Sequence, residues 1–216
     1  MGNVRKMASG MVHRLEGSRY IFVPERGVSV AKNVLYGVSW TESQVFLGTL
    51  DFFMPSQDDF RAFLRLLSSG EDVFDGDGNK VRQNEVTSLH RSILGVRGRE
   101  SAEFLDARFE QRGEIMYINA GHHMVDGELQ PRISEPLEDY LMGYHKRIDL
   151  EDWLRNPTRQ GLPRTDVNCG HIQYSPPNDG SIAIFSAILG SVSLRYDGNP
   201  RDSDPHHGVR PCVRSA

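Results

Sequence analysis

A few groups of residues in this chain have the types and spacing to do chemistry. Asp75, Asp77 and Asn79 alternate in DGDGN (75–79), as at the start of a calcium-binding loop. The pattern then fails. Lys80 stands where a glycine must make the turn, and Val86 where a bidentate glutamate would close the shell. A solvated turn is expected instead. His122-His123 and His206-His207 are adjacent pairs. Adjacent side chains on a strand point to opposite faces, so neither pair readily chelates one ion. Asp202, Asp204 and His206 alternate and would share a face of an extended segment. They offer one imidazole, and no His-x-x-x-His spacing supports them. No metal and no cofactor is expected. Cys169 and His171 lie two apart in a Gly-rich loop, a spacing that does not aim a base at a thiol. There is no Gly-x-Ser-x-Gly elbow and no Gly-rich phosphate loop. Glu135, Glu138, Asp139, Glu151 and Asp152 read as carboxylates at helix starts, complementing the macrodipole. No catalytic residue is expected, and the chain reads as non-enzymatic.

The elements that position these residues follow from periodicity. RYIFV (19–23) is a short strand, and VLYGVSW (34–40) and QVFLGTLDFF (44–53) are rich in β-branched and aromatic residues. Ser56 caps a helix over 56–70, with Asp59 three residues on and Phe60, Phe63, Leu64 and Leu67 at helical spacing. A turn and strand start follow at 72–81, and a second helix over 84–95. Residues 105–119 form a hairpin around Arg112-Gly113, and 123–132 a tight turn at Asp126-Gly127. Short helices are predicted at 136–145 and 150–156, the second capped by Asp149. From Pro157 the chain becomes rich in Gly, Pro, Ser, Asn and Asp, interrupted by SIAIFSAI (181–188) and SVSLRY (191–196). Strands near both ends with helices between suggest one α+β domain over residues 1–216.

Length and composition agree. A chain of 216 residues forms a core without staples. Its 38% apolar and 25% charged residues are ordinary for a globular protein. A net charge of −4 argues against general nucleic-acid binding. Arg outnumbers Lys, 21 to 4, and Arg suits interfaces and buried pairs. No run approaches the length of a membrane span, and the N-terminus lacks the apolar stretch of a secretory signal and the serine or threonine of a myristoylation pattern. A cytoplasmic or virion-associated protein is the expectation. Cys169 and Cys212 either stay free or form one bridge. Free thiols are expected, because nothing else indicates an oxidising compartment.

The hairpin at 181–196 carries the clearest physical signal. Val192, Leu194 and Tyr196 alternate with Ser191, Ser193 and Arg195, so the even positions face the core. In the preceding strand Phe185 and Ala187 face inward, placing Ile184, Ser186 and Ile188 outward. Two isoleucines beside serines and an arginine suggest a contact patch. The other reading is that both faces are buried and the isoleucines are core.

Five segments in order, FLDARFEQRGEIMYIN, EPLEDYLM, QGLP, YSPPNDGSIAIFSA and DGNPRDSDPHHGVRP, resemble the variable proteins of archaeal-type diversity-generating retroelements. The resemblance covers roughly residues 100–214, with a weaker match at MPSQDDF. It implies a C-type-lectin-like fold of short helices, a small antiparallel sheet and long irregular loops. It also implies a diversified ligand-binding surface over 174–210, ending at the signature Gly208-Val209-Arg210. In that family adenines of template codons, largely AAC, are replaced at random, giving NNC codons. These cannot encode Lys, Glu, Gln, Met or Trp, and none of the five occurs from Tyr174 to Arg210. Strands and loops are also depleted in several of these residues, which weakens the inference without removing it.

Position by position, the resemblance implies ligand-binding roles for Ser175, Ile184, Ser186, Ile188, Gly190, Ser193, Arg195, Asp197, Asn199, Arg201, Asp202, Asp204 and His206. Ile184, Ile188, Arg195 and His206 would be its energetic anchors. If Ile184 is exposed, Ile184→Ser leaves the melting point nearly unchanged, whereas Phe185→Ala does not. The ligand would be an unknown protein or glycan surface, with neither nucleic acid nor membrane insertion involved. The chain departs from its relatives at His171-Ile172-Gln173, where they often carry aromatic residues, and Gln173 cannot arise from NNC. Glu135-Pro136-Leu137 lacks the amide ligand of calcium-dependent sugar binding. The rival reading is an enzyme of the formylglycine-generating type, which would need Cys169 and Cys212 to converge at a metal. A third is a structural virion component that assembles only with itself.

Overall fold

A computed structural model of the chain describes residues 16–96, 101–143, 146–188 and 190–214. The N-terminal residues examined for targeting signals, up to Arg14 and Leu15, lie outside the described residues, as does the end of the helix expected over 136–145.

The elements run β1 (Tyr20–Val23), β2 (Val28–Ala31), β3 (Leu35–Tyr36), α1 (Trp40–Gly48), α2 (Gln57–Ser68) and α3 (Gln83–Ile93). Then come β4 (Ser101–Arg112), β5 (Ile115–Ala120), β6 (His123–Val125), β7 (Glu128–Gln130), β8 (Ile133–Pro136) and β9 (Lys146–Ile148). α4 (Leu150–Arg155), β10 (Ile172–Ser175), β11 (Ile182–Ile188), β12 (Ser191–Gly198), β13 (His207–Val209) and β14 (Cys212–Arg214) complete the chain.

This corrects the expected class. Instead of an α+β, C-type-lectin-like fold with a small antiparallel sheet, 14 strands form three sheets, and the helices are few and short. The largest sheet has nine strands. Its backbone order is β3-β13-β4-β11-β12-β10-β9, with β5 and β8 added beyond β4. It is mixed, because β13 pairs parallel with β4 and β10 parallel with β12. The strands that enlarge it are short and recruit partners far away in sequence, so local periodicity does not announce them.

Two helices differ from expectation for identifiable reasons. The 44–53 run, read as a strand, gives its first half to α1. Ser39 accepts from the Glu42 backbone N–H while the Glu42 side chain accepts from that of Ser39, a capping box that starts the helix at Trp40. Trp40, Ser43, Gln44 and Leu47 then bury one helical face. The helix expected at 136–145 does not form in the described part. Asp139 takes a left-handed φ of 45°, while Leu137, Tyr140 and Leu141 pack on the core as irregular chain. By contrast, α2 begins as expected, with Ser56 and Asp59 closing a capping box, and Asp149 accepts from the Asp152 backbone N–H at the start of α4.

One core lies between the inner face of the large sheet and α2, α4 and the β1-β2-β14 sheet. At its centre Phe185 contacts Phe60 at 5.1 Å between ring centroids and stacks on Trp153 at 6.4 Å. Tyr196 packs on Phe109 and Tyr174, and its hydroxyl is bonded to Gln57. Burial raises the pKa of both tyrosines. A second cluster, of Trp40, Leu47, Met54, Ala102, Phe104, Ile182, Ile184 and Val209, lies on the opposite face of the sheet beneath α1.

Candidate ligand-binding face

The alternation read from 181–196 is correct as geometry. Phe185 pairs with Leu194 across the hairpin, and both are buried in the core. Ile184 pairs with Arg195, Ser186 with Ser193, and Ile188 with Ser191. On the far side Gln173 pairs with both Ser193 and Arg147, and Ser175 pairs with Arg195. These residues share one face, because cross-strand partners point the same way.

That face is not uniformly open, and two expectations change. Ile184 and Ser186 are buried, at 1% and 2% exposure. Strand β12 runs parallel to β4 and β13, so the link between β12 and β13 must cross over β11 and β4. Its course is marked by bonds from the Thr41 backbone N–H and hydroxyl to the Pro200 carbonyl, at the start of α1, and by Asp202 lying 3.5 Å from the His207 ring. His207 itself stands beside Phe104, a neighbour of Ile184. Helix α1 and this crossover therefore enclose Ile184, which is a packing residue and not an exposed anchor. Gly198 completes the seal. A Cβ there would sit 2.5 Å from the Ile184 Cδ1, so any larger residue would require that side chain to move. The Ser186 hydroxyl is 2.6 Å from the Ser193 hydroxyl, which satisfies it inside the sheet.

The other expected positions remain accessible. Ser175, Ile188, Ser193, Arg195 and Asp197 are half-buried along the strands, and Gly190 is exposed at the hairpin turn. Arg195 donates to Asp197 at 3.0 Å, holding two side chains of one row together. Asn199, Arg201, Asp202, Asp204 and His206 are exposed on the crossover. This segment is shaped by its own polar side chains. Asn199 accepts from the Arg201 backbone N–H, Asp202 from Asp204, and Asp204 from His206. Gln173 and Arg147 extend the face beyond β12 and are exposed. Sequence reasoning missed both, because β9 and β10 are too short to show a period.

Behind this face the backbone is fixed by buried charge. Arg210 donates from Nε and Nη2 to the two oxygens of Glu103, at 2.8 and 2.6 Å, and from Nη1 to the carbonyls of Ala31 and Lys32. Gly208 sits where a Cβ would lie 2.3 Å from the Leu35 carbonyl oxygen. The Gly208-Val209-Arg210 segment thus locks the end of the crossover to β4 and to the β2-β3 connection.

The remaining candidates for chemistry are accounted for locally. Asp75 accepts from the backbone N–H groups of Asp77 and Asn79, and Asp77 from that of Ser18, which makes DGDGN a self-bonded turn. No group of three metal-ligating side chains occurs among the described residues. Cys169 is exposed and Cys212 buried, both free, and burial raises the Cys212 thiol pKa. Comparison with protein-family models, curated proteins and solved structures gave no match.

Proposed function

We propose that this protein is a non-enzymatic recognition protein whose binding face is the outer row of β12 together with the β12–β13 crossover, and that it belongs with the variable proteins of diversity-generating retroelements. The supporting observation is the division of roles along one stretch of chain. Leu194, Tyr196, Gly198 and the 207–210 segment are buried, whereas Arg195 and Asp197 are half-buried and Asn199 and 201–206 exposed. Residues of the second kind can be exchanged at little cost to folding, within about 0.5 kcal/mol each. Ile184, Ser186 and Ser193, whose hydroxyl is the partner of the buried Ser186, fall outside the exchangeable set. Mixed charge from Arg195, Arg201, Asp202, Asp204 and His206 suits a polar protein or glycan surface.

The decisive experiment reads the adjoining DNA. A near-copy of the codons for 174–210, differing only at adenines and lying beside a reverse-transcriptase gene, is the expected result. A complementary library randomising positions 195, 197, 199, 201, 202, 204 and 206 should yield mostly folded variants. Absence of the near-copy removes the retroelement assignment. General misfolding of the library removes the binding face.

A further inference from the structure

The exchangeable positions 195, 197, 199, 201, 202, 204 and 206 are seven in number, whereas a specific protein–protein interface engages about 20–30 residues on each side. A protein seated on them must also touch fixed residues, and the sheet shows where. On one side the outer surface of β11 and β4 is closed by α1 and the crossover, which leave Ile184 only 1% exposed. On the other side the same surface runs on across β10 and β9. Gln173 pairs with Ser193, and Arg147 with Gln173, so the three form one row with successive strands about 4.8 Å apart. Gln173 and Arg147 are both exposed, and cross-strand partners point the same way. Ser175 and Arg195 pair in the neighbouring row.

This flank is firmly held and basic. Ile148, Ile172 and Tyr174, which alternate with the outward residues of β9 and β10, are buried in the core, and the Tyr174 hydroxyl donates to the Leu141 carbonyl at 2.6 Å. The two strands are thus in place before a ligand arrives. They contain Lys146 and Arg147 and no acidic residue. Neither cation has a carboxylate partner among the described residues. Arg195 has one, since its Nε donates to Asp197. Arg147 is therefore a free guanidinium at the edge of the face, with the Gln173 amide as its neighbour. A guanidinium fork takes a carboxylate through two parallel hydrogen bonds, and an adjacent amide offers further donors. Arg is also among the residues that most often anchor protein interfaces. The outward rows of β9, β10 and β12 hold no aromatic side chain on which a sugar ring could stack, which favours a protein over a glycan.

Resting on the recognition reading above, we propose that Arg147 and Gln173 are a fixed flank of the binding face and take a surface carboxylate of an acidic protein partner, whatever occupies the exchangeable positions. The test displays the full chain with those positions randomised and selects binders on two probes, calcium-free calmodulin as an acidic protein and lysozyme as a basic one. Clones selected on calmodulin should lose about tenfold in affinity on Arg147→Gln and about threefold on Gln173→Ala. The Arg147 effect should shrink as salt is raised. Clones selected on lysozyme should change by no more than about twofold on Arg147→Gln. Arg91→Gln, an exposed change on α3, should be silent with both probes, and thermal melting checks that every variant is folded. The proposal is overturned if calmodulin clones stay within about twofold of their parent affinity in Arg147→Gln, or if lysozyme clones lose as much as they do. Binders to lysozyme alone would overturn it too. So would saturable, Arg147-dependent binding of polygalacturonate by the unmutated chain, which would assign an acidic glycan instead. Calmodulin clones indifferent to Arg147 remove the flank and leave the variable face standing. A folded library with no binder to either probe removes both.

Discussion

Truncating Ile184 tests whether α1 and the crossover really cover the outer face of β11. Ile184 is 1% exposed, and Trp40, Leu47, Met54, Phe104 and Val209 belong to the same cluster. Ile184→Ala removes roughly three methyl or methylene groups, each worth about 0.8 kcal/mol of transfer free energy. The hole would close poorly. Trp40 is tethered through its indole N–H to Leu105, and Gly198 has no side chain to move inward. The transfer and cavity contributions together give about 3–4 kcal/mol, inside the usual range for such truncations. For a chain of this length that lowers the melting temperature by about 6–16 °C. Urea denaturation with matched slopes is the assay, with Arg201→Ala and Arg195→Ala as references expected within about 0.5 kcal/mol of wild type. A midpoint for Ile184→Ala equal to that of Arg201→Ala would refute the enclosure of this face. This reverses the sequence-based expectation that Ile184→Ser is silent.

Other consequences can be measured in parallel. Glu103→Gln leaves the buried Arg210 guanidinium without its ion partner and should cost about 3–5 kcal/mol in chemical denaturation; a loss below about 1 kcal/mol would place the pair in solvent. Phe185→Ala should destabilise by about 3–5 kcal/mol, since its ring is central to the aromatic core. In a native thiol titration Cys169 should react quickly and Cys212 only after unfolding, because Cys212 is buried and its pKa raised by that burial. Two equally fast thiols would contradict the packing of β14. His90 has its pKa lowered below 6.5, first by burial, against a smaller opposing pull from Glu151. The unfolded chain therefore takes up this proton more readily, and His90 contributes a loss of stability as pH falls through 6.5 and on toward the folded value. His90→Gln should flatten that part of the stability profile, and an unchanged slope would show that the ring is not desolvated.

Much of the local grammar was legible in the residues themselves. The Ser56–Asp59 and Asp149–Asp152 caps, the turn at Arg112-Gly113, and the two-residue alternation of 181–196 depend on neighbours a few positions away, which a sequence displays directly. Where alternation stood alone it assigned Ile184, Ser186 and Ser193 to one face correctly. Whether that face met water was decided elsewhere: by α1, over a hundred residues upstream, and by a crossover imposed by the parallel pairing of β13 with β4. The same holds for the buried Asp106, which Gln44 and His122 meet only through the sheet and the packing of α1. Periodicity reports which side of a strand a residue takes, because that is a property of the strand. Burial is a property of whatever packs against that side, and only the assembled tertiary structure determines it.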